Sequence, residues 1–462
     1  MCIRMDRNYE SRAAALVPAE ALASEASWDS ALFLRGQLRF GWPAAENRPL
    51  ESLADVFEGT RTPQLDEDPI SIYRARSISP FELTPSPEQW LTASSPNPRA
   101  IQPGDVILKR VAPVTAAVAG VGMPKLPVDA NCFVVRGLVE ADAWWLAFFL
   151  NDPACVDYLL SKSGRGVLSR VSLSVLRQWS MPATPAGFAR LARRLAECLA
   201  KRTFLAGQIA ALKAEVETAV GAQMDATDYE RSEERFAQRS WAFFFPAILA
   251  DVSWLPLHVA NAYRSDVLNR DREWRPLCEC LLPSSPSRQR WSQLDSAIPV
   301  LRLSDVGDVP LVPHVLPAAV PPQANRVFRE PLAPEDVLLS TLGSSPRIAF
   351  TPAHLEPIYA VDHWERLRFR EHAAAFALIL QTSAVARQLR SLAGGSIQQF
   401  VRPEDLQHLF LPAFPSDVMG RWDRSFRSLC KTWAQTETDW LAALAEGNQF
   451  FTRASKSTQH PL

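Results

Sequence analysis

Hydrophobic and polar residues alternate in short runs over much of this chain, and in two regions they change to a helical spacing. Short runs rich in Val, Ile and Leu, bounded by Pro, Gly or polar residues, predict strands. Three such runs lie in each half, so both halves are expected to contain small sheets. The runs are SIYRA at 71–75, DVILKRV at 105–111, NCFVVRG at 131–137, IPVLRL at 298–303, DVLLSTL at 336–342 and RIAFTP at 347–352.

Helical patterns follow the strands in each half. A short aromatic-rich stretch comes first, at 143–151 and at 373–381. A long stretch then carries apolar residues at alternating spacings of three and four, with one position taken by Arg202, which is a heptad pattern. These residues are Phe188, Leu191, Leu195, Cys198, Leu205, Ile209, Leu212 and Val216 in the first long helix, and Trp422, Phe426, Leu429, Trp433, Trp440 and Leu444 in the second.

Neither long helix can bury its apolar stripe alone. The simplest arrangement is that the two helices pair antiparallel with each other and join the two halves of the chain. The alternative is that each helix packs on its own half.

The two halves also share an order of landmarks, which indicates an internal repeat. PGDVIL at 103–108 matches PEDVLL at 334–339, so that Asp336 lies 231 residues after Asp105. Ile70–Ile78 matches Ile298–Val306, with an offset of 228 residues. The glycine-containing segment 163–185 has its counterpart at 393–415, with Met181-Pro182 matching Leu411-Pro412. Because the matches are collinear, we expect a duplication of about half the chain.

Composition fits a folded chain but does not fix its partner. The 462 residues, 47 % of them apolar, are enough for two to four domains with real cores. The net charge of −1 argues mildly against a nucleic-acid binder, although a basic face can be balanced elsewhere. Most cations are Arg, which suits bidentate recognition of phosphate, carboxylate or guanine. A GC-rich genome would produce the same bias.

Cysteines and apolar windows indicate a soluble, cytoplasmic chain. The seven cysteines are scattered, and no second Cys or His pair stands at metal spacing near Cys278 and Cys280, so reduced thiols and no metal site are expected. The first residues contain no apolar core of a signal peptide. The window Trp241–Leu257 is interrupted by two prolines and by Asp251, and it is too short to span a membrane.

The doubled order of strands, glycine loop and long helix resembles the DNA-specificity subunits of type I restriction-modification systems. The resemblance covers residues 40–455. It is carried by LESLADVFEGTRTPQ at 50–64 with ISIYRARSI, and by WRPLCECLLPSSPSRQ at 274–289 with IPVLRLSDV, followed in each half by the PGDVIL-like strand and the proline-flanked exit. Residues 1–40 and 223–262 have no counterpart in this pattern.

The resemblance implies an α+β fold. It consists of two similar mixed α/β target-recognition domains joined by two long antiparallel coiled-coil helices in a pseudo-twofold repeat. We expect the first domain with an N-terminal extension at 1–185, the first spacer helix at 186–222, a linker and second domain at 223–415, and the second spacer helix at 416–455. Each domain would read one part of a bipartite site in double-stranded DNA. The helices would bind two methyltransferase subunits, and a restriction or translocase subunit would join the complex.

Candidate DNA-binding residues follow from position and side-chain chemistry. Glycine lets backbone approach DNA closely, Arg can bind phosphate or guanine, and Gln can pair with adenine. For any single arginine the alternative is a solvated surface charge. The candidates are Arg74, Arg76, Lys109, Arg110, Arg165, Ser169, Arg170, Arg302, Arg326, Arg329, Arg347, Gln398, Gln399 and Arg402. The candidate partner-binding helix positions are Leu191, Leu195, Leu205, Ile209, Leu212, Trp422, Phe426, Leu429, Trp433 and Trp440.

No motif for catalysis or for a cofactor stands out in the sequence. We find no nucleotide-binding P-loop, no HExxH and no methyltransferase or nuclease motif, and His354, His363 and His372 are spaced by nine residues, which does not suit a metal site. A DNA reader that directs partner enzymes is therefore the favoured function. A scaffold that binds mainly protein partners, such as a subunit of a different anti-phage assembly, and an unrecognised enzyme remain as alternatives.

Overall fold

The computed structural model divides the chain into two compact units. Unit 1 consists of Met1–Phe204 and Thr438–Leu462, and unit 2 of Leu205–Glu437. The structure describes residues 2–3, 15–16, 48–60, 70–83, 88–90, 99–163, 170–223, 274–283, 288–290, 299–307, 309–313, 326–342, 347–352, 357–393 and 400–457.

Unit 1 contains short strands around one antiparallel sheet. The strand order in this sheet is Thr115–Val118, Val106–Lys109, Cys132–Arg136, Asp55–Glu58. The strands are β1 Cys2–Ile3, β2 Ala15–Leu16, β3 Arg48–Pro49, β4 Asp55–Glu58, β5 Ile70–Ile72, β6 Ile78–Ser79, β7 Glu82–Leu83, β8 Glu88–Trp90, β9 Val106–Lys109, β10 Thr115–Val118, β11 Cys132–Arg136 and β12 Ser180–Met181.

The central strand β9 of unit 1 is buried on both faces. Val106 and Leu108 pack in one hydrophobic cluster with the aromatic helix residues, whereas Ile107 packs in another with Tyr73. This alternation follows from the two-residue period of a strand. A fully covered strand reads as a continuous apolar run, which is why VIL is uninterrupted in the sequence.

The helices of unit 1 cover one face of this sheet. Every residue from Ala143 to Leu150 is buried, and the Trp145 ring lies 5.0 Å from that of Phe188. The Asp152 carboxylate accepts hydrogen bonds from the backbone amides of Ala154 and Cys155 and so caps the next helix. The helices are α1 Leu50–Leu53, α2 Glu140–Asn151, α3 Pro153–Lys162, α4 Leu173–Gln178 and the first part of α5 Phe188–Gln223.

Unit 2 is built around a three-stranded antiparallel sheet in the order Ile348–Phe350, Val337–Ser340, Trp364–Leu367. In its central strand, Val337 and Leu339 face the cluster that includes the helices, and Leu338 faces the opposite cluster. The strands are β13 Trp274–Pro276, β14 Arg288–Arg290, β15 Val300–Leu301, β16 Arg326–Phe328, β17 Val337–Ser340, β18 Ile348–Phe350, β19 Tyr359–Ala360, β20 Trp364–Leu367 and β21 Phe410–Pro412.

The helices of unit 2 again cover one side of the sheet. The Asp423 carboxylate accepts a 3.0 Å hydrogen bond from the backbone amide of Ala374 and so ties the last long helix to the start of a short one. The Phe350 and Phe426 rings lie 5.7 Å apart. The helices are α6 Leu277–Cys280, α7 Ala373–Ile379, α8 Ser383–Leu392 and α9 Ser416–Ser457, of which α9 continues into unit 1.

A buried aspartate fixes the turn before the central strand in both units. In unit 1, Asp105 accepts a 2.8 Å hydrogen bond from the amide of Gln102, and Arg136 of β11 donates to both of its carboxylate oxygens. In unit 2, Asp336 accepts a 2.8 Å hydrogen bond from the amide of Ala333, and Arg368 donates to it at 2.8 Å. These hydrogen bonds raise the pKa of both arginines.

The two long helices run antiparallel to each other within each unit. In unit 1, Arg194 of α5 pairs with Glu446 of α9 at 2.8 Å. In unit 2, Glu215 of α5 accepts hydrogen bonds from Arg421 and from the Trp422 indole, each at 2.9 Å. Later residues of one helix thus meet earlier residues of the other.

Arg202 occupies one position of the apolar heptad pattern, where it forms an ion pair instead of an apolar contact. Arg202 is 8 % exposed, donates to both carboxylate oxygens of Glu82 and lies over the Trp440 ring at 5.8 Å. A charged side chain is therefore accommodated inside an apolar seam without an unpaired buried charge.

All six strand runs of the sequence contain a strand, and the long helices are present at Phe188–Gln223 and Ser416–Ser457. The sequence patterns did not predict strands β10 and β20 or helices α3 and α8. The third runs of the two halves, NCFVVRG and RIAFTP, do not form equivalent strands. RIAFTP forms β18, which pairs with β17 as β10 pairs with β9. NCFVVRG forms β11, which pairs with β9 as β20 pairs with β17. No helix among the described residues is long and apolar enough to cross a membrane.

Two glycines of the long helices should respond oppositely to alanine. A Cβ at Gly447 would overlap Cζ of Phe148, whose ring is buried between Phe81 and Phe188. Gly447→Ala should therefore destabilise the protein by about 1–3 kcal/mol through overpacking. Gly207→Ala is the matched control, because nothing lies within 4 Å of its Cβ. It should stabilise by about 0.5–1 kcal/mol. Thermal unfolding midpoints measure both, and a stabilising Gly447→Ala would contradict this packing.

The two buried aspartates should be equally sensitive. Asp105→Ala and Asp336→Ala each leave an arginine and a turn amide without their partner, so each should cost about 3 kcal/mol. Asp55→Ala is the control, because Asp55 pairs with Arg99 on the surface, with both side chains more than half exposed, and should cost less than about 1 kcal/mol. The readouts are the thermal midpoint and hydrogen exchange of β9 and β17. Similar values for all three variants would show that the buried pairs do not hold the strands.

Candidate nucleic-acid interface

In unit 1, the segment that leaves the glycine loop crosses the end of the central strand β9. Val111 and Arg170 form an antiparallel bridge, and the amide of Val171 donates a 2.9 Å hydrogen bond to the carbonyl of Arg110. This crossing places the exposed Arg170 beside the end of the strand that carries the half-buried Lys109. Among the described residues, no acidic side chain pairs with either cation.

The same crossing occurs in unit 2 at the end of β17. Leu342 and Phe400 form an antiparallel bridge, and the amide of Val401 donates a 2.8 Å hydrogen bond to the carbonyl of Thr341. Phe400 therefore occupies the position that Arg170 occupies in unit 1. Its side chain is 38 % exposed, and the Arg402 guanidinium lies 5.9 Å from its ring centre.

A cleft of about 430 Å³ opens beside this crossing in unit 2. Its lining contains three cations, two carboxylates and one aromatic ring, so it combines hydrogen-bond donors, acceptors and an apolar face. The residues that line this cleft are Arg288, Arg326, Thr341, Asp362, Phe400, Val401, Arg402, Pro403 and Glu404.

The cleft's arginines differ in how firmly they are held. Arg288 donates to Glu365 at 3.0 Å, and burial raises the pKa of that carboxyl, a shift that the charge of Arg288 opposes. Arg326 and Arg402 are exposed, and no carboxylate of the described chain forms an ion pair with them. They are consequently the two cations of the cleft whose guanidinium groups are available to a ligand.

Other predicted DNA-binding arginines already contact the protein. Arg110 forms an ion pair with Glu58 and donates to the carbonyl of Ala130 at 3.1 Å. Arg347 donates to the carbonyls of Leu303 and Val306 at 2.6 and 3.1 Å, so its guanidinium links a short turn to the sheet. Both arginines thus have a structural role that is sufficient to explain them.

The remaining candidates lie in turns or outside the described residues. Arg74 and Arg76 flank or lie in the 3₁₀ turn Ala75–Ser77, Arg302 precedes the corresponding turn Leu303–Asp305, and each of the three has an interaction partner. Arg329 is exposed just after β16 and does not line the cleft. The positions outside the described residues are Arg165, Ser169, Gln398 and Gln399.

The helix positions predicted to bind partners are covered by this chain's own core. Leu429 is partly buried against that core, and all the others are at most 9 % exposed. A protein partner of these helices would therefore contact their other faces. The nine buried positions are Leu191, Leu195, Leu205, Ile209, Leu212, Trp422, Phe426, Trp433 and Trp440.

Sequence reasoning missed several residues that the structure brings to the cleft, namely Arg288, Asp362, Phe400 and Glu404. The sequence carried a signal for Phe400, because it is an aromatic residue between the polar Gln398-Gln399 and Val401-Arg402. Asp362 was not accessible, since it reaches the cleft through the pairing of strands distant in sequence. Its backbone amide donates a 3.0 Å hydrogen bond to the carbonyl of Arg326.

The described residues offer no group of three or more His, Cys, Asp or Glu side chains that could hold a metal ion. Burial raises the pKa of the Cys132 and Cys155 thiols well above its usual value. These buried cysteines are thus uncharged thiols with the properties of small apolar core residues.

No protein-family model and no curated protein matches the chain. Solved structures match it with low identities and low TM-scores. The HsdS subunit from Thermoanaerobacter tengcongensis is 15 % identical, with 89 % of this chain and 96 % of that chain covered and a TM-score of 0.26. The S subunit of the type I restriction-modification system from M. genitalium is 10 % identical, with 91 % and 99 % covered and a TM-score of 0.40.

A third match is a chain from a structure whose description concerns the structural basis of complex assembly and conformational transition of the type I R-M system. It is 15 % identical, with 89 % of this chain and 96 % of that chain covered and a TM-score of 0.25. Of these three structures, the first two are thus an HsdS subunit and an S subunit of a type I restriction-modification system.

Proposed function

We propose that this chain is a non-catalytic subunit that reads a two-part sequence in double-stranded DNA and directs partner enzymes to it. The observation that carries the proposal is the crossing at the end of the central strand, which occurs in both units at the same place in the chain order. At each crossing, exposed side chains suited to phosphate or base contact lie on a backbone fixed by hydrogen bonds.

The recurrence of local hydrogen bonds supports an origin by duplication. Gly104 and Glu335 both have a positive φ in the turn before the central strand. Their amides donate to the carbonyls of Ala119 and Thr351, the residues directly after β10 and β18. The buried Asp105–Arg136 pair recurs as Asp336–Arg368, with sequence offsets of 231 and 232 residues. Unrelated segments would not be expected to share one sequence offset for the turn and for the buried Asp–Arg pair.

Differences between the crossings support two different half-sites. Unit 1 presents Arg170 near Lys109, which favours phosphate or guanine contact. Unit 2 presents Phe400 at the position of Arg170, with Arg402 two residues later, which adds an apolar surface. Two copies that keep one backbone and change the exposed side chains can read different bases, as an asymmetric bipartite target requires.

The long helices are proposed to form an antiparallel coiled coil that joins the two recognition modules and binds methyltransferase subunits. Support comes from the paired residues in each unit, with Arg194 opposite Glu446 and Glu215 opposite Arg421. Since the apolar seam is buried, the partners would bind exposed faces. Methylation or cleavage would occur on those partners, and any base flipping would be done by the methyltransferase.

DNA binding should weaken when the cationic loop of unit 1 is neutralised. Arg165→Ala with Arg170→Ala should reduce affinity for duplex DNA. If both contact phosphates, the slope of log affinity against log salt should become shallower by about 2, because each phosphate contact contributes roughly 0.9. The control is Arg190→Ala with Arg193→Ala, which removes the same charge from exposed positions of α5.

Filter binding over a range of salt concentrations, with circular dichroism to verify folding, distinguishes the two double variants. Equal losses in both would show that the loop of unit 1 has no special part in binding. If the wild-type chain, alone and with its partners, has no salt-dependent affinity for DNA, a scaffold that binds protein becomes the better description.

Partner direction is tested in the host cell. Deleting the gene should remove DNA methylation at a two-part motif, and the wild-type gene should restore it, with genome-wide detection of modified bases as the measurement. Unchanged methylation after deletion would contradict the role with methyltransferases. If the chain still binds DNA in that case, it would be the reader of a different defence assembly.

A further inference from the structure

We propose that the cleft of unit 2 is the part of this unit that reads bases, and that it accepts the major-groove edge of a G·C pair. The inference rests on the proposed function and names the chemistry of one of its two half-sites. Arg326 and Arg402 would donate to the two guanine acceptors, and Asp362 or Glu404 would accept the one hydrogen that the cytosine amino group offers in the major groove. These four side chains line one cleft.

The mixed lining distinguishes base reading from simple phosphate binding. The two carboxylates would repel a phosphate and offset two of the three guanidinium charges. A site that binds only the DNA backbone would not contain these carboxylates. In the major groove, guanine offers the acceptors O6 and N7 and cytosine offers the N4 donor. Neighbouring arginines and carboxylates match that combination of acceptors and donor.

The fixed backbone around the cleft supports the same assignment. Arg326 lies in β16, where it pairs with Arg290 of β14, and its carbonyl accepts a hydrogen bond from the amide of Asp362 at 3.0 Å. A cation and a carboxylate are thus held as neighbours by the main chain. On the other side, the bond from Val401 to Thr341 fixes the segment that carries Arg402 and Glu404.

Not every polar side chain of the cleft is a reader. Arg288 is held by Glu365, and the Thr341 hydroxyl donates to the carbonyl of His363 at 2.9 Å. The Asp362 carboxylate lies 3.8 Å from His363 Nδ1, too far for a normal hydrogen bond, so its oxygens can still accept. Arg326, Arg402 and Glu404 have no ion-pair partner among the described residues.

Phe400 gives the cleft a contact that unit 1 lacks. A phenylalanine can contact the methyl group of thymine in the major groove, which would extend recognition to a base pair next to the G·C pair. Because unit 1 has Arg170 at this position, the thymine preference should belong to the half-site of unit 2 alone.

The test uses the full chain, alone and with its co-purifying partners, and a pool of duplexes with randomised sequence. The wild type should select a two-part motif, and affinities for single-base variants of that motif then give the discrimination at each position. Arg326→Lys and Arg402→Lys keep the charge but lose the planar fork of donors. Each should reduce discrimination for one G·C pair by about 5- to 150-fold while affinity for unrelated DNA is retained.

Arg329→Lys is the matched control, because Arg329 is exposed three residues after Arg326 but does not line the cleft. It should leave discrimination unchanged. Phe400→Ala should weaken selection at one neighbouring position of the same half-site, and Glu404→Gln should reduce the preference for cytosine. Thermal unfolding midpoints verify that each variant is folded.

The possible results separate this inference from the function on which it rests. If the wild type selects no motif, the proposed function is wrong and the cleft assignment with it. If the wild type selects a two-part motif and the lysine variants keep its full discrimination, the function stands and the cleft is not the reader. A uniform loss of affinity on all sequences would make the cleft a phosphate site and overturn the inference.

Discussion

The buried aspartate at the start of each central strand is the contact on which the candidate interface depends. Asp105 and Asp336 are 2 % and 1 % exposed, so each needs its arginine and its turn amide to offset the loss of water. The arginine comes from the adjacent strand β11 in unit 1 and from the residue directly after β20 in unit 2, so the pair fixes the position of two neighbouring strands as well as the turn. A shift of one residue would turn every side chain of the strand to the opposite face.

The register at the start of the strand determines which residues form the crossing at its end. Three to six residues after the aspartate come Leu108, Lys109 and Val111 in unit 1, where Val111 pairs with Arg170. The buried aspartate is thus connected to the cationic crossing by the apolar residues 106–108 of the strand. Because the anchor and the strand are alike in both units while the crossing residues differ, the chain separates a constant scaffold from variable contacts.

Much of this scaffold could be predicted from sequence, since it depends on local patterns. The apolar runs around Ile107 and Leu338 gave the central strands, and the spacing from Phe188 to Val216 gave a long helix. Short elements such as Thr115–Val118 escaped, because TAAV has only four residues with two alanines at its centre and forms a strand through pairing with β9. Tertiary pairing, rather than propensity, decides such elements.

The candidate site was less predictable for the same reason. Arg326 and Arg402 could be selected as exposed cations near loops, but their association with Asp362 needs β16 and the segment before β20 to be adjacent. Arg110 and Arg347 show the opposite error, because an arginine that bonds to the protein looks the same in sequence as one that awaits a ligand. The acceptors of these two arginines, Glu58 and the carbonyl of Leu303, lie more than forty residues away in the chain.

Pairing inside the units also changes the meaning of the near-neutral net charge of −1. Many acidic residues are neutralised by structural arginines, as in the pairs Asp105–Arg136, Glu82–Arg202 and Asp336–Arg368. Such pairs contribute nothing to the field at the surface beyond a short distance. At the crossings, by contrast, Arg170, Arg326 and Arg402 stand without ion pairs among the described residues. A duplex approaching a crossing would respond to these local cations, so a neutral total is compatible with DNA binding that depends steeply on salt.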